Sequence, residues 1–550
     1  MAVITFSLKD LDAKGVSKKS LEELIPRIGM EIEAISEDEV AIDITPNRPD
    51  MLDITGIVRA LQLFTGKRVP KEKEYAITEA PVLDIKVTKN VSKIRPYITG
   101  LVARGVDLSG NNLKYLINFT EKLSDTYGRR RSKFSMGIYD MDLIKGPLTY
   151  DAARDKRFAP LGFTEEMDFA EILERHPKGE TYRNAIKNPA GNIPFLSDSE
   201  KVLSLIPITN SESTKVTTET KNLFIDITGT SLNAVMQVAN LLACSLIDAK
   251  AHVYPCTIKY EGNDVISPRM DFKELQIKEA RVSKTLGVAI EPNNAVTLAN
   301  KTGYFAAMYG NSLLVHTPPY RLDVLNDQDV IEDLAIAYGY GNIAPLPVIG
   351  FSDGLPEELK EFTDEIALFM VGIGFSEAIN NYLTNEKTNF ENMRRDYKKD
   401  ETVSIAYAKT ENITMLRTAV LPGLLKNLGY SAHERMPQKL FETGSVFRIE
   451  NGKMLESHRM AFVSEHSRAD FSEAKSVILS ALNRIGIKDY EITGFEDKAF
   501  IEGRCAQVTV KGKRIAVFGE LHPAVLSNFN LEEATIGAEI TLIEKISYDA

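Results

Sequence analysis

The sequence has few cysteines and lacks the short motifs that mark many catalytic sites. Its 550 residues include three cysteines, Cys244, Cys256 and Cys505, and no two of them form a CxxC pair. The sequence therefore supports neither a zinc knuckle nor a disulfide framework. It also contains no GxxxxGKS/T or HExxH pattern and no GxGxxG after a predicted strand. These absences argue against a nucleotide or metalloprotease site contained in this chain alone.

A long uninterrupted apolar run is also missing. The most apolar stretch covers residues 233–250, and polar residues such as Gln237 interrupt it. This pattern is typical of a buried helix rather than of a membrane span. At the N-terminus, Lys9 and Asp10 come too early for the apolar core of a signal peptide. We therefore expect a cytoplasmic protein that has no membrane partner.

The composition and the charge are those of a globular chain with several domains. Hydrophobic residues make up 43% of the sequence and charged residues 26%, and a chain of this length corresponds to roughly three to five domains. The net charge of −11 comes from 77 acidic and 66 basic residues. This charge argues against a chain that wraps nucleic acid by itself, but a local basic patch or a basic partner subunit is compatible with it.

Changes in the pattern of predicted strands and helices divide the chain into four parts. The first is a small α/β unit, and the second mixes strands with two long helical patterns. The third has two short helical patterns, a hairpin with a Gly-Asn turn and a further helix, whereas the fourth has a helix followed by antiparallel hairpins. We place these parts at residues 1–75, 80–262, 265–345 and 350–550.

Acidic residues are concentrated in the stretch YRLDVLNDQDVIEDLAIAYGYGNI, residues 320–343. Asn326 is a favourable N-cap, so a helix is predicted to begin there and to end at Gly339 or Gly341. Three of the acids then share one face of the helix, and a fourth lies before it, close enough to fold back. The four acids are Asp323, Asp329, Glu332 and Asp333.

Two interpretations of this acidic face are open from the residues alone. Carboxylates offer oxygen donors, so a bound cation would be a hard one, Mg2+ rather than zinc. Alternatively the acids are ordinary solvated groups, and the helix macrodipole stabilises those in the first turn, Asp327 and Asp329. The macrodipole accounts less well for Glu332 and Asp333, which follow the first turn. These acids repel one another unless a cation or a basic partner offsets their charge.

Five segments of the sequence, in this order, resemble the β subunit of phenylalanine–tRNA ligase of the archaeal and eukaryotic type. The resemblance covers nearly the whole chain. The segments are TPNRPDMLDITGIVRAL at 45–61, TPPYRLDVLNDQDVIEDLAIAYGYGNI at 317–343, ITMLRTAVLPGLLKNL at 413–428, KLFETGSVF at 439–447 and VFGELHPAVL at 517–526.

The resemblance implies a multidomain α+β fold with four kinds of domain. They are a small N-terminal α/β domain, a B3/B4 editing domain, a winged-helix-like B5 domain and a degenerate class II synthetase core built on an antiparallel sheet. By this resemblance the four domains correspond to residues 1–75, 80–262, 265–345 and 350–550.

The resemblance also implies a function within an α2β2 heterotetramer. In this family the α subunit makes phenylalanyl-adenylate from phenylalanine and ATP and then esterifies tRNA(Phe). No residue of the present chain is implied in that aminoacylation. The chain is expected instead to scaffold the complex, to contribute an Mg2+ site and to hydrolyse mischarged Tyr-tRNA(Phe). The implied Mg2+ ligands are Asp323, Asp329, Glu332 and Asp333.

The candidate editing residues lie in and before a predicted strand that contains the sequence FIDIT. Asp226 and Thr228 alternate with Ile225 and Ile227, so they share one face of this strand. From the residues alone, that face is more simply interpreted as exposed to solvent. The resemblance implies instead an editing site formed by Asp226, Thr228, Ser204 and Asn210. Because no Ser/His/Asp or Cys/His constellation is evident, we expect a positioned water to cleave the ester.

Two other functions are compatible with parts of the pattern. A nucleic-acid-binding regulator could use the winged-helix-like unit, but the acidic face at 329–333 and the net negative charge argue against its contact with DNA. A freestanding editing hydrolase would not need the class II-like half of the chain. Copurification of a smaller class II subunit would separate the ligase hypothesis from both alternatives.

Overall fold

Two compact units make up the computed structural model of the chain, residues 1–347 and 348–550. The structure describes residues 2–186, 191–347, 350, 354–408 and 410–546. The predicted boundary between the third and fourth parts, at 345–350, falls partly outside the described residues. Helices and strands are mixed in both units, which confirms the predicted multidomain α+β class.

The first unit begins with a three-stranded antiparallel sheet and three helices. Its elements are β1 Ala2–Ser7, α1 Leu8–Ala13, α2 Lys18–Arg27, β2 Glu31–Ile35, β3 Glu39–Ile44 and α3 Ile54–Phe64. The strands lie in the order β1-β3-β2. Alternate residues of β1 are buried, and α2 begins after Ser17, whose hydroxyl accepts the Ser20 N–H, as an N-cap residue should.

A ten-stranded sheet forms the centre of the first unit. Its strands and the accompanying elements are β4 Leu83–Val87, β5 Tyr97–Arg104, α4 Asn112–Asp125, β6 Phe134–Asp140, β7 Leu148–Ala153, β8 Arg157–Phe158, β9 Met167–Asp168, α5 Phe169–Arg175, α6 Pro177–Tyr182, β10 Ile193–Ser197, β11 Val202–Leu205, β12 Thr209–Asn210, β13 Asn222–Gly229, α7 Leu232–Asp248, β14 His252–Tyr260 and β15 Asn263–Ser267. The strand order is β12-β11-β10-β7-β4-β14-β5-β13-β6, and β15 pairs with β14. The two edge strands, β12 and β6, lie close to each other, and the Asn210 amide of β12 donates to the Ile138 carbonyl of β6 at 2.9 Å. The sheet therefore curls round and encloses an interior.

The two faces of this curled sheet are buried in different ways. On the outer face, residues such as Ile225 and Ile227 belong to a large apolar core that also includes residues of α4 and α7. On the inner face, a separate apolar cluster draws side chains from most of the strands, among them Tyr139, Tyr150 and Phe224. Polar groups on the inner face are thus removed from water and need partners within the protein.

The third part of the first unit combines three helices with a small antiparallel sheet. Its elements are β16 Lys273–Lys278, α8 Glu279–Leu286, α9 Pro292–Lys301, β17 Phe305–Tyr309, β18 Ser312–Thr317 and α10 Asp327–Tyr338. The predicted Gly-Asn hairpin joins β17 to β18. Helix α10 has the predicted cap Asn326, whose side chain accepts the Gln328 N–H, and it ends at Gly339. Both predictions for this segment are confirmed.

A buried group of charges joins these three parts of the first unit. Arg59 in α3 is 2% exposed, and its guanidinium lies 2.6 Å from Asp248 at the end of α7 and 3.1 Å from Asp50. The carbon of the same guanidinium lies 3.7 Å from the centroid of the Tyr320 ring, which precedes α10. One side chain therefore contacts groups from the N-terminal part, the curled sheet and the third part.

The second unit is built on a seven-stranded sheet. Its elements are α11 Glu358–Gly372, β19 Ser376–Glu377, β20 Leu383–Thr384, β21 Met415–Leu416, α12 Leu421–Tyr430, β22 Gln438–Glu450, β23 Lys453–Glu465, α13 Phe471–Ile485, β24 Glu491–Gly494, β25 Phe500–Val510, β26 Lys513–Leu521, α14 Pro523–Asn528 and β27 Thr535–Ile546. The order is β19-β22-β23-β27-β26-β25-β24, and β19 alone pairs in parallel. The hairpins predicted at Asn451-Gly452 and Lys511-Gly512 are both present, with positive φ at these residues.

The most apolar stretch of the sequence forms helix α7. As predicted, it is a buried helix, and its buried residues include Val235, Val238 and Leu242. Among the described helices, none is both long enough and apolar enough to cross a membrane.

Candidate functional site

The Asp226 carboxylate lies in the interior of the curled sheet, between two glycines. Strand β13 pairs with β5 on one side and with β6 on the other, and the residues opposite Asp226 are Gly100 and Gly137. Because Gly137 lacks a side chain, the space beside it is left to the carboxylate and its partner, whereas a Cβ atom at Gly100 would meet Ile85 and Phe224. A Cβ atom at Gly137 would lie 2.3 Å from Asp226 Oδ1, so this position accommodates no larger residue without a shift.

Asp226 and Thr228 both face the interior, as their alternation along the strand predicts. Asp226 is 2% exposed and Thr228 is 0% exposed. The interpretation of this face as solvent-exposed is therefore wrong. An isolated buried carboxylate is costly, so the groups that contact Asp226 determine what the site can do.

Tyr139 in β6 is the hydrogen-bond partner of Asp226. Its hydroxyl donates to Asp226 Oδ1 at 2.6 Å and lies 2.8 Å from Ser204 Oγ. The Tyr139 ring stacks on Phe224, with centroids 5.5 Å apart and planes inclined by 25°. Tyr139 and Ser204 are 0% and 1% exposed. Ser204 and Asp226 therefore meet through a tyrosine that the sequence did not single out.

Arg95 holds Thr228 in place from the loop before β5. Its Nε donates to Thr228 Oγ1 at 3.1 Å, and its Nη2 donates to the Thr228 carbonyl at 2.8 Å and to Ser135 Oγ at 3.1 Å. The remaining Nη1 donates to the Arg131 carbonyl at 3.0 Å. A buried cation with this many acceptors is fixed in orientation, and it places positive charge near Asp226.

Burial changes the acidity of all three charged or ionisable groups. It raises the pKa of Asp226 to about 7, although the Tyr139 hydrogen bond and the Arg95 charge both lower it. Burial also raises the pKa of Tyr139 well above its ordinary value, and the Asp226 charge adds to this effect. It lowers the pKa of Arg95 to about 10. Near neutral pH, Tyr139 therefore keeps its proton, whereas Asp226 exchanges between its two forms.

Asn210 lies apart from the interior cluster, at the seam of the curled sheet. Its amide closes the seam through the Ile138 carbonyl. Its side chain also lines a cavity of about 200 Å³ on the side of helix α4, together with Arg131 and Lys178. The structure thus brings Ser204, Asp226 and Thr228 to the inner face, and it places Asn210 beside them at the edge.

The four acids predicted to bind Mg2+ are not gathered around one point. Arg321 donates to both carboxylate oxygens of Asp323, at 2.9 and 2.8 Å, and its Nη2 lies 2.6 Å from Asp333 Oδ2. Asp329 accepts the backbone N–H groups of residues 325 and 326, at 2.7 and 2.9 Å, as part of the helix cap. Glu332 is exposed. A basic partner therefore offsets two of the acids, and a third serves the backbone.

The described residues contain no group of three or more His, Cys, Asp or Glu side chains placed to hold a metal ion. With Arg321 bound to two of the four acids, this chain by itself does not present a set of carboxylates that fits Mg2+. The assignment of Asp323, Asp329, Glu332 and Asp333 as Mg2+ ligands therefore stays a prediction.

Comparisons with known proteins match most of the chain. Residues 80–245 match the model of the B3/4 domain, residues 275–340 that of the tRNA synthetase B5 domain, and residues 344–542 that of the phenylalanyl tRNA synthetase beta chain CLM domain. The phenylalanine–tRNA ligase β subunit of Archaeoglobus fulgidus is 35% identical over 555 residues, which cover 98% of each chain. The chain belongs to the family of phenylalanine–tRNA ligase β subunits.

Two further relatives agree with this assignment. The phenylalanine–tRNA ligase β subunit of Methanosarcina acetivorans is 35% identical over 550 residues, which cover 99% of each chain. A crystal structure of an N-terminal fragment of the phenylalanyl-tRNA synthetase β subunit from Pyrococcus horikoshii is similar with a TM-score of 0.59 and 32% identity, and covers 62% of this chain and 100% of that fragment. The cluster around Asp226 lies within the segment that the B3/4 model matches.

Sequence reasoning missed Tyr139 and Arg95. The strand around Tyr139 alternates in the usual way, and neither its tyrosine nor an isolated arginine is unusual in a sequence of this composition. The glycine two residues before Tyr139 is the signal that was available, because a glycine inside a strand often marks a close approach. It does not by itself name the group that approaches.

Proposed function

We propose that this chain works as the β subunit of an active phenylalanine–tRNA ligase and that the interior of its curled sheet hydrolyses Tyr-tRNA(Phe). Relatives of this name that are 35% identical over nearly the full length support the first part. The second part is carried by the buried Asp226 carboxylate, whose bound partner at 2.6 Å is a phenol. A phenol hydroxyl is the group by which tyrosine differs from phenylalanine.

A second, hydrolytic site is needed because the synthetic site cannot separate these two amino acids well. A hydrophobic pocket that binds phenylalanine rejects an isostere with one added hydroxyl by only about 10²-fold. A site built to hydrogen-bond the hydroxyl discriminates much more strongly, by roughly 10⁴-fold or more. An editing site therefore needs a polar group that hydrogen-bonds the hydroxyl of the wrongly attached tyrosine.

Asp226 has the burial and the position to read this hydroxyl. A tyrosyl group that reaches the interior forms a hydrogen bond from its phenol hydroxyl to the carboxylate. A phenylalanyl group in the same place donates nothing to the carboxylate, so the acceptor site that a tyrosyl group would fill stays unsatisfied, and this costs more than the missing bond alone. Asp226 is thus the residue that distinguishes the wrong ester from the correct one.

The other residues of the site have positioning roles. Ester hydrolysis requires a water oxygen to attack the carbonyl carbon, after which the bond between that carbon and the ribose oxygen of the tRNA breaks. The Ser204 hydroxyl lies 2.8 Å from the Tyr139 hydroxyl that bonds the carboxylate, and Arg95 fixes Thr228, two residues after Asp226 in the strand, through two hydrogen bonds. Asn210 keeps the seam of the sheet closed. Because the hydroxyls of Ser204 and Thr228 bond a tyrosine, an arginine and a serine rather than a histidine base, we infer that water is the nucleophile.

In the ligase reaction this chain has a supporting role. Together with an α subunit in an α2β2 complex it attaches phenylalanine to tRNA(Phe), with ATP as the substrate that forms phenylalanyl-adenylate on the α subunit. The Mg2+ ligands assigned by resemblance, Asp323, Asp329, Glu332 and Asp333, belong to the same proposal. Since Arg321 neutralises two of them in this chain, these ion pairs must open before the acids can bind a cation.

The editing role is tested with the variant Asp226→Ala in the complex with the α subunit. Phenylalanine charging should be unchanged, while hydrolysis of pre-charged Tyr-tRNA(Phe) should be lost and tyrosine mischarging should rise. The matched control is Asp198→Ala, which removes another buried acid, in the turn between β10 and β11, one that accepts backbone N–H groups of residues 145, 200 and 201. Unchanged hydrolysis by Asp226→Ala would rule out this site.

The proposal that the α subunit, and not this chain, forms phenylalanyl-adenylate is tested by phenylalanine-dependent exchange of pyrophosphate into ATP. We expect exchange when this chain is coexpressed with the α subunit and none with this chain alone. Exchange by the chain alone would show that its second unit is catalytic, contrary to the proposal.

A further inference from the structure

One oxygen of the carboxylate that is proposed to bind the tyrosyl hydroxyl, Asp226 Oδ1, already accepts a hydrogen bond from the protein itself. Tyr139 puts its own phenol hydroxyl 2.6 Å from Asp226 Oδ1 and 2.8 Å from Ser204 Oγ. Its ring is fully buried and stacks on Phe224. The chemical group that the site is proposed to recognise and the group that fills it are therefore the same.

The surrounding strands are shaped for this internal phenol. Gly137 lies two residues before Tyr139 on the same face, and a Cβ atom there would be 2.4 Å from the Tyr139 hydroxyl and 2.3 Å from Asp226 Oδ1. Gly100 lies opposite Asp226 on the other side. Gly137 therefore leaves room for a phenol and a carboxylate side by side, whereas a Cβ atom at Gly100 would meet Ile85 and Phe224, each at 3.0 Å.

We propose that Tyr139 is an internal occupant of the tyrosine-hydroxyl subsite, which an entering ester must displace from Asp226 Oδ1 and which slows the hydrolysis of the correctly and the wrongly charged ester alike. This inference rests on the proposed editing function and adds a residue to it. Tyr139 acts through Asp226, by competing with the substrate for the same carboxylate.

The exchange has a different free energy for the two esters, because Asp226 gains a new phenol hydroxyl in one case and none in the other. When a tyrosyl group replaces Tyr139, one phenol–carboxylate hydrogen bond is lost and an equivalent one forms, so the exchange is nearly neutral. When a phenylalanyl group replaces Tyr139, the bond is lost and nothing takes its place, which leaves a buried carboxylate unsatisfied. Entry of the correct ester is therefore opposed by the full strength of the internal bond.

Removal of the internal hydroxyl should speed the hydrolysis of both esters by the same factor. In Tyr139→Phe no hydrogen bond has to break on entry, so kcat/KM should rise about tenfold or more for Tyr-tRNA(Phe) and for Phe-tRNA(Phe) alike, the factor expected for one hydrogen bond to a carboxylate. The ratio between the two esters should stay the same, because Asp226 still reads the substrate hydroxyl.

The experiment measures hydrolysis of both pre-charged esters, without ATP, by the complex of this chain with its α subunit. The matched control is Tyr260→Phe, which removes a hydroxyl that bonds the backbone of residue 98 in the same sheet; it should leave both rates unchanged. No change in Tyr139→Phe, or a fall in kcat/KM for the tyrosyl ester, would overturn the inference.

A second variant keeps the test decisive if the ring is also needed for packing. Tyr139→Ala should open a ring-sized space, and added p-cresol should then slow the hydrolysis of both esters by refilling it. Toluene, which has the same shape without the hydroxyl, should be at least tenfold weaker. Equal inhibition by the two compounds would show that the hydroxyl contact with Asp226 is not what controls entry.

Failure of this inference can be told apart from failure of the proposed function. If Asp226→Ala abolishes hydrolysis but Tyr139→Phe changes neither ester, the editing site stands and the internal occupant does not. If Asp226→Ala has no effect on either ester, the editing function itself is misplaced, and the response of Tyr139→Phe is then also expected to disappear.

Discussion

The guanidinium of Arg59 lies 2.6 Å from the carboxylate of Asp248, which ties helix α3 to the end of helix α7. Both side chains are nearly inaccessible to water, at 2% and 6% exposure. Asp50 bonds the other side of the same guanidinium. Because Arg59 and Asp50 come from the N-terminal part and Asp248 from the part built on the ten-stranded sheet, the three residues should contribute to the stability of the first unit as one cluster.

Arg59→Met should therefore destabilise the first unit strongly. The substitution keeps most of the side-chain volume but leaves buried carboxylates short of a partner, and breaking one side of a buried ion pair costs about 3 kcal/mol or more. Urea unfolding followed by circular dichroism measures the loss. The control is Arg27→Met, since Arg27 pairs with Glu23 on the exposed surface of α2 and should cost less than about 1 kcal/mol. Equal costs would contradict the structural role of the cluster.

Removal of Arg321 should make the chain responsive to Mg2+. In the wild-type chain alone, Arg321 neutralises Asp323 and Asp333, so millimolar Mg2+ should leave its thermal midpoint unchanged. In Arg321→Met the two carboxylates repel each other, and Mg2+ should recover part of the lost stability. Differential scanning calorimetry with and without Mg2+ measures both effects.

The control for this prediction is Arg281 in α8, an exposed arginine that pairs with another acid of the same segment. Arg281 pairs with Asp327 in the first turn of α10 and is about half exposed. Arg281→Met should show no response to Mg2+. A clear rise in the midpoint of the wild-type chain on adding Mg2+ would show that Arg321 does not block the cation.

Protonation of Asp226 should stabilise the native state below neutral pH. Burial raises the pKa of Asp226 to about 7, from an ordinary value of 3.8. Between these two values the folded chain holds a proton that the unfolded chain has lost. This contribution is therefore complete below about pH 4 and falls as the pH rises, until it is exhausted above about pH 7.

Asp226→Asn removes this dependence, so the difference in unfolding free energy between wild type and variant is the quantity to measure. It should decline with rising pH by at most about 1.4 kcal/mol per pH unit, and it should be flat above neutral pH. Urea titrations at intervals of one pH unit give the profile. A difference that does not change between pH 4 and 7 would show that Asp226 is ionised throughout this range.

Local patterns predicted much of the fold and part of the candidate site. The period of two along β13 placed Asp226 and Thr228 on one face, and the cap at Asn326 and the stop at Gly339 defined helix α10. These features depend on neighbouring residues, so the sequence carries them directly.

The partners of these residues could not be predicted because they arise from long-range pairing. Tyr139 and Asp226 are separated by 87 positions, and Arg95 and Thr228 by 133. Only the antiparallel register of β6, β13 and β5 brings them together. Arg321 could not be predicted as a partner of the acids for a different reason. It lies only two residues from Asp323 in the sequence, but its burial against Asp333 depends on tertiary packing.

Gly137→Ala should force Tyr139 and Asp226 apart. The new methyl group would lie 2.3 Å from Asp226 Oδ1 and 2.4 Å from the Tyr139 hydroxyl, and both partners are buried. Overpacking of this kind costs about 1–3 kcal/mol. The variant should also hydrolyse Tyr-tRNA(Phe) more slowly, because the carboxylate is pushed out of position. Unfolding free energy and pre-charged ester hydrolysis are the two measurements.

The double variant Gly137→Ala with Tyr139→Phe tests whether the methyl group acts by contacting the Tyr139 hydroxyl or by a general effect of replacing the glycine. Deletion of the hydroxyl removes one of the three closest contacts, so the cost of the double change should be smaller than the sum of the single costs, as expected for residues in contact. Gly341→Ala serves as the control, since a Cβ atom there meets nothing within 4 Å, and it should change stability by less than about 0.5 kcal/mol. Strict additivity in the double variant would mean that the methyl group does not meet the Tyr139 hydroxyl, and the space beside Asp226 would then be wider than the structure shows.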